Sequence, residues 1–239
     1  MNSIVIVTTV AAIVLLLEKI WPGTRLKPVK GWYARAAFLN GVQALSAFSG
    51  AYLWDRWFVD ISLLSIKSWA IMPQVMVGYI VITFIYYWWH RARHHTPVLW
   101  RCLHQLHHSP SRIEVVSSFY KHPLEIICNG ILSSAILYSL LGMHAEAVAI
   151  CVLVTGLAEL IYHMNIKTPR WLGLFFQRPE MHRIHHQRGS HHYNYSDLPI
   201  WDMIFGTYKN PVNISVETGF PDDNETRLIA LLSGKELES

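Results

Sequence analysis

Residues 68–95 read SWAIMPQVMVGYIVITFIYYWWHRARHH. No charged residue occurs from Ser68 to Trp89, and a helix needs roughly 20 apolar residues to cross a bilayer. The run closes on Tyr86, Tyr87, Trp88 and Trp89, the residue types that settle at a membrane–water interface. It continues without a breaker into His90-Arg-Ala-Arg-His94. Positions i and i+4 share one helical face, so His90 and His94 can grip one ion where the helix leaves the membrane. His95 is turned away from that pair and reads as a supporting or surface residue.

Outward from this stretch, four more segments approach spanning length: 2–20, 36–54, 125–143 and 145–165. Gly142 punctuates the last two, which predicts a tight hairpin. The run 61–66 is too short to span and is expected at the interface. Hydrophobic residues make up 52% of the 239-residue chain and charged residues 15%, against about 25% charged in a soluble domain. With the N-terminus outside, the inner segments 18–35, 90–124 and 166–239 carry 18 of the 20 Lys and Arg. The positive-inside rule therefore predicts five spans and a cytoplasmic C-terminus. The first span is the weakest of the five and could be re-entrant. Residues 1–17 lack the basic start and the cleavage site of a signal peptide, so a retained helix is expected there.

The fold class that follows is all-α: an integral membrane protein of four to five transmembrane helices with a cytoplasmic helical cap. One membrane domain covers 1–239, with a core at 75–212, extra spans in 1–74 and a cytoplasmic tail at 213–239, whose acidic part after Phe220 reads as a solvated cap or frayed end. The net charge of +4 is spread along membrane flanks rather than gathered on a basic face, so no nucleic-acid partner is expected. Cys102, Cys128 and Cys151 form no CxxC pair and read as reduced packing residues. The sequons at Asn194, Asn213 and Asn224 fall on the cytoplasmic side and read as unmodified.

All fourteen histidines lie between positions 90 and 192. Besides the first box there are His104-Gln-Leu-His107-His108 and His182-Arg-Ile-His185-His186, each with i, i+3 and i+4 on one side of a helix. His163 ends the fifth span. These supply nine imidazoles: His90, His94, His104, His107, His108, His163, His182, His185 and His186. One ion cannot use nine, whereas two with four or five each can. Imidazole suits iron, copper, nickel and zinc, and no thiolate cluster points to structural zinc. Glu159 lies four residues before His163, on the same face, and a carboxylate within a span is expensive. It reads either as a ligand, as a group orienting His163, or as one end of a helix–helix hydrogen bond. His122, Asn194 and Asp202 are candidates for a ligand or supporting role, Asp202 equally for a structural turn. His191 and His192 read as rim residues, and His144 lies in the outer turn, away from the site.

The HxxxH, HxxHH and HxxHH boxes resemble the fatty acid hydroxylase / sterol desaturase superfamily of membrane-bound histidine-box di-iron oxygenases. Arg178-Pro-Glu-Met-His-Arg-Ile-His-His186, Trp201-Asp-Met-Ile-Phe-Gly-Thr-Tyr208 and Lys121-His-Pro-Leu-Glu125 extend the likeness over about 75–212. The resemblance implies two iron ions facing the membrane, with O2 as co-substrate, and zinc able to take the iron sites in a recombinant preparation. It implies hydroxylation of a lipid C–H bond, fatty acyl, sterol or related. Electrons would come from a separate donor, cytochrome b5-like or ferredoxin/reductase, at a bacterial inner membrane or the endoplasmic reticulum. Some fatty-acyl hydroxylases of this kind carry a histidine where Glu159 stands. A lipid desaturase with the same site is an alternative that spacing does not separate. A zinc hydrolase needs Glu after the first His of HExxH, and Arg91, Gln105 and Arg183 occupy those positions. A metal transporter or sensor would want polar residues along the spans, which hold little beyond Glu159.

Overall fold

The structure, a computed structural model, describes residues 3–212 and 216–237, with backbone alone for 3–8 and 51. The sequon at Asn213 lies outside the described residues. Among the described residues the helices that organise the fold are α1 (Ser3–Ile20), α2 (Trp32–Gly50), α3 (Ile71–His95), α4 (Gln105–His108), α5 (Pro123–Ser134), α6 (Ala145–His163), α7 (Pro179–His185), α8 (Pro199–Ile204) and α9 (Leu228–Leu232). No strand forms among the described residues; one isolated antiparallel bridge pairs Gln187 with Thr218.

Among the described residues, three helical segments are long and apolar enough to cross a membrane: Ile71–His95, Pro123–Leu140 and Ala145–His163. The surface of α3 agrees with that role. Met72, Met76, Ile80, Phe84 and Trp88, each four residues from the next, form an exposed apolar stripe, as helical periodicity requires. The opposite face, with Val75 and Ile82, packs on Ile136, Leu137, Val148 and Cys151 from α5's continuation and α6. Gly142 turns the α5–α6 hairpin at φ +60°. A side chain there would meet Ser62 Cβ at 2.8 Å, because the chain at 61–66 is laced to the hairpin by Leu63 N–Ser139 O and Leu64 N–Leu140 O bonds of 2.7 and 2.9 Å.

Proline sets several helix starts. Pro123, Pro179 and Pro199 each occupy a first helical position, where the missing N–H is no loss. His122 caps α5, its Nδ1 accepting from Leu124 N. Residues 100–104, just before α4, form a π-helical turn, a widened geometry frequent at functional sites.

The tail departs from the sequence expectation of a solvated or frayed end. Phe220, Leu231 and Leu237 are buried with Trp32, Leu39, Leu106 and Tyr120. The acidic residues around them hid three apolar anchors spaced too irregularly to register as an amphipathic helix.

Candidate metal centre

The nine box histidines converge in two groups. His90, His94, His104, His108 and His185 offer nitrogens that all lie within 4.8 Å of one another, and so do His107, His163, His182 and His186. The split follows from helix geometry. At about 100° per residue, positions i and i+4 are neighbours while i+3 and i+4 diverge by a quarter turn. Each HxxHH box accordingly sends its i and i+4 residues to one group and its i+3 residue to the other. The second box gives His104 and His108 to the five-membered group and His107 to the four. The third box does the reverse, so the two boxes interlock. His108 and His186 stack where the groups meet, with ring centres 4.1 Å apart.

The donor set fits metal ions. An imidazole–metal bond of about 2.0–2.1 Å puts right-angled neighbouring nitrogens about 3 Å apart. Nε2 of His90 lies 2.9 Å from Nε2 of His104. Nε2 of His182 lies 3.0 Å from Nε2 of both His163 and His186. Both ring nitrogens of His94 and His108, Nε2 of His185 and Nδ1 of His186 are buried with no hydrogen-bond partner. Orphaned buried polar atoms are costly, and a cation between them would satisfy several at once. Burial, then the positive neighbours, pushes His104, His107, His108, His182 and His186 well below the ordinary histidine pKa, and burial holds His185 down at about 3. These imidazoles are neutral, with lone pairs available.

Partners behind the ring orient the remaining nitrogens. Nδ1 of His90, His163 and His185 donates to the carbonyls of Tyr195, Glu159 and Tyr193 at 2.7, 2.8 and 2.8 Å. Nδ1 of His104 lies 3.1 and 3.2 Å from the two oxygens of Glu125. This fully buried carboxylate also pairs with Arg93. Sequence reasoning placed Glu125 in a motif but gave it no role; nothing local signals a contact 21 residues away from its histidine.

The supporting candidates fall in different places. The Glu159 carboxylate pairs with Lys121 and belongs to neither histidine group. His122 commits both nitrogens to backbone, at Leu124 N and Leu232 O. Asp202 accepts from Tyr195 N, Ser196 N and the Thr207 hydroxyl at 2.8, 3.1 and 2.7 Å, so it fixes the loop whose Tyr195 carbonyl holds His90. Asn194 bridges Met181 O and Lys209 from a left-handed backbone. The half-buried His191 ring lies 4.6 Å from that of His108 and 5.0 Å from that of Trp100, and His95 is exposed. His144 caps the far end of α6.

A cavity of about 320 Å³ opens on the histidines. It runs between α2, α3, α5 and α6, from His90, His104 and His182 past Glu159 and Tyr162 to Trp54, Ile82 and Val148.

The model of the family "Fatty acid hydroxylase" matches residues 75–207. An ornithine lipid hydroxylase of Rhizobium tropici is 33% identical over 60% of this chain and 44% of its own length. A fatty acid hydroxylase of a Lecanicillium species is 32% identical over 64% of this chain and 48% of its own. The human alkylglycerol monooxygenase is 31% identical over 55% of this chain and 30% of its own. The chain thus spans about half, or less, of the length of these curated relatives. No solved structure matches it. A family match over more than half the chain, enclosing eight further residues of the two histidine groups besides His90, shows that the chain belongs to the fatty acid hydroxylase family.

Proposed function

We propose that the chain is a membrane-bound di-iron oxygenase that uses O2 and external electrons to hydroxylate a lipid C–H bond. The observation that carries this reading is the convergence of nine buried or half-buried histidines into groups of five and four. In it, His90, His94, His104, His108 and His185 hold one iron and His107, His163, His182 and His186 the other. Iron held there supplies the oxidation of an unactivated C–H bond, which no side chain of the chain can perform.

The chain's own residues bind, orient and exclude. Neutral imidazoles present lone pairs without first shedding protons. Glu125 and the carbonyls of Tyr195, Glu159 and Tyr193 fix which nitrogen faces inward. The cavity between the spans admits a lipid chain to the histidines from the bilayer, away from bulk water. Lys121 offsets Glu159 in its wall. Five spans with the metal site and C-terminus on the cytoplasmic side, residues 75–212 as the oxidising core, and a separate electron donor complete the proposal.

The test compares lipids of cells with and without the intact chain. A product heavier by one oxygen is expected; one lighter by two hydrogens would assign desaturation instead. His107→Ala should lose both iron and product. Full activity with unaltered iron content in that variant would overturn the assignment.

A further inference from the structure

We propose that the segments 170–176 and 196–206 are not an aqueous part of the cap but a re-entrant foot. It lies in the acyl region of the leaflet nearest the histidines, with lipid chains as its partner. The inference rests on the spanning role of α3, not on the chemistry of the histidines.

Depth is the first argument. Trp201 Nε1 donates to Thr83 Oγ1 at 3.1 Å, and Ser196 Oγ to Thr83 O at 3.3 Å. Thr83 is the midpoint of Ile71–His95. A 25-residue helix is about 37 Å long at 1.5 Å per residue, while the hydrocarbon slab is about 30 Å thick. A slab seated anywhere along α3 therefore leaves Thr83 about 11 Å or more inside it. Whatever is bonded to Thr83 shares that depth. Phe205 follows the same wall, stacked on Tyr87 with ring centres 5.1 Å apart and edge-on to Trp88 at 4.8 Å.

The second argument is the surface. Ile200, Ile204, Trp171, Leu174, Phe175 and Phe176 are 46–61% exposed. They extend the apolar stripe of α3 through Phe84 and Trp88, whose rings touch Trp201 and Phe205. The turn at 170–174 is tied to the same unit by Tyr208 OH donating to Gly173 O and Asn210 Nδ2 to Arg170 O, both at 3.0 Å. Exposed Arg170 opens the segment and exposed Lys167 and Lys209 flank it, Lys209 with its ammonium over the Tyr193 ring, which puts cations at the edge where lipid phosphates lie.

The third argument is polar satisfaction. Irregular backbone at membrane depth survives only where its N–H and C=O groups find partners within the protein. Asp202 supplies them. Its carboxylate accepts from Tyr195 N, Ser196 N and Thr207 Oγ1, and its carbonyl accepts from Thr207 N and Tyr208 N at 2.8 and 3.1 Å. Asn194 N donates to Thr207 O at 2.9 Å. These bonds satisfy the turn around Asp202 from within the protein, as membrane depth requires.

The experiment uses the full chain in phosphatidylcholine nanodiscs, with Cys102, Cys128 and Cys151 replaced by serine. Single cysteines, Ile204→Cys and Phe175→Cys, carry bimane; Ile80→Cys on the lipid-facing stripe and Glu217→Cys on an exposed ion pair serve as references. Bimane at both test positions should emit to the blue and be quenched when the acyl chains are brominated, as at position 80. Red-shifted, unquenched emission like that at position 217, at either test position, would overturn the proposal. Ile200→Cys and Phe176→Cys replace any variant that does not fold.

Discussion

The contact of Glu125 with His104 and Arg93 ties the candidate metal centre to the first turn of α5. A carboxylate accepting from Nδ1–H leaves Nε2 free for an ion and raises its basicity. Glu125→Ala removes that acceptor and leaves Arg93 buried without its anion. Metal affinity should fall about 10–100-fold, read by iron titration of the purified protein, and the unpaired guanidinium should cost about 3–5 kcal/mol of stability. Glu125→Gln restores the acceptor but not the charge, so it should recover affinity more than stability. The buried imidazoles also set a pH dependence. His185 is held at about 3 against an ordinary 6.5, so the unfolded chain binds its proton where the folded chain does not. Its contribution is whole above the unfolded value and is lost as pH falls from there toward the folded one. His104, His107, His108, His182 and His186 are shifted the same way. The melting temperature of metal-stripped protein should therefore fall steadily as pH drops from about 8 to about 5. A flat profile would mean that water reaches these rings.

Between elements, the crossing of α2 and α5 depends on two glycines. The Trp54 indole lies between them, and a Cβ at Gly50 or Gly130 would come within 2.7 or 2.6 Å of its ring. Gly130→Ala overpacks that contact and should cost about 1–3 kcal/mol. Gly41→Ala, on the same α2 with nothing within 4 Å, should be neutral or stabilise by about 0.5–1 kcal/mol. Thermal unfolding of the two variants in one detergent measures the contrast, and equal melting temperatures would refute it. The same level of organisation shows what the sequence conveys. The spans around 71–95 and 145–163 and the histidine boxes are legible because each is a local pattern of hydropathy or of i, i+4 spacing. The division of each HxxHH box between two groups is not, since it depends on how α4 and α7 face each other. Glu125 escaped for the same reason, because its role lies in a contact with another element. The segment 199–204 is too short to register in any hydropathy window, so its depth beside Thr83 emerges only from the contacts of Trp201.

Across the whole molecule, the C-terminal tail closes the histidine cap from behind. Phe220 N donates to Ser109 O at 3.1 Å, and Glu225 accepts from Ser111 N and its hydroxyl at 2.7 and 2.8 Å. Lys235 O accepts from Gln105 Nε2 at 2.9 Å, and Leu231 fills a site beside Leu106 and Tyr120 with no exposed surface. These contacts grip the segment 105–111, which carries His107 and His108. Both rings pack on other histidines, but their hydrogen bonds to protein are few: Nδ1 of His107 is 3.4 Å from Tyr120 O, and neither nitrogen of His108 has a hydrogen-bond partner. The backbone of α4 carries both rings, and the tail is bonded to residues at its two ends, Gln105 and Ser109. Leu231→Ala should cost about 2–5 kcal/mol as a buried large-to-small change. It should also speed the loss of iron to a chelator at temperatures where the protein is still folded, because α4 gains freedom before the spans do. Ile229→Ala, on the same short helix but 85% exposed, should alter neither. If Leu231→Ala lowered the melting temperature yet released iron at the unaltered rate, the tail would be a stabilising cover with no hold on the metal ligands.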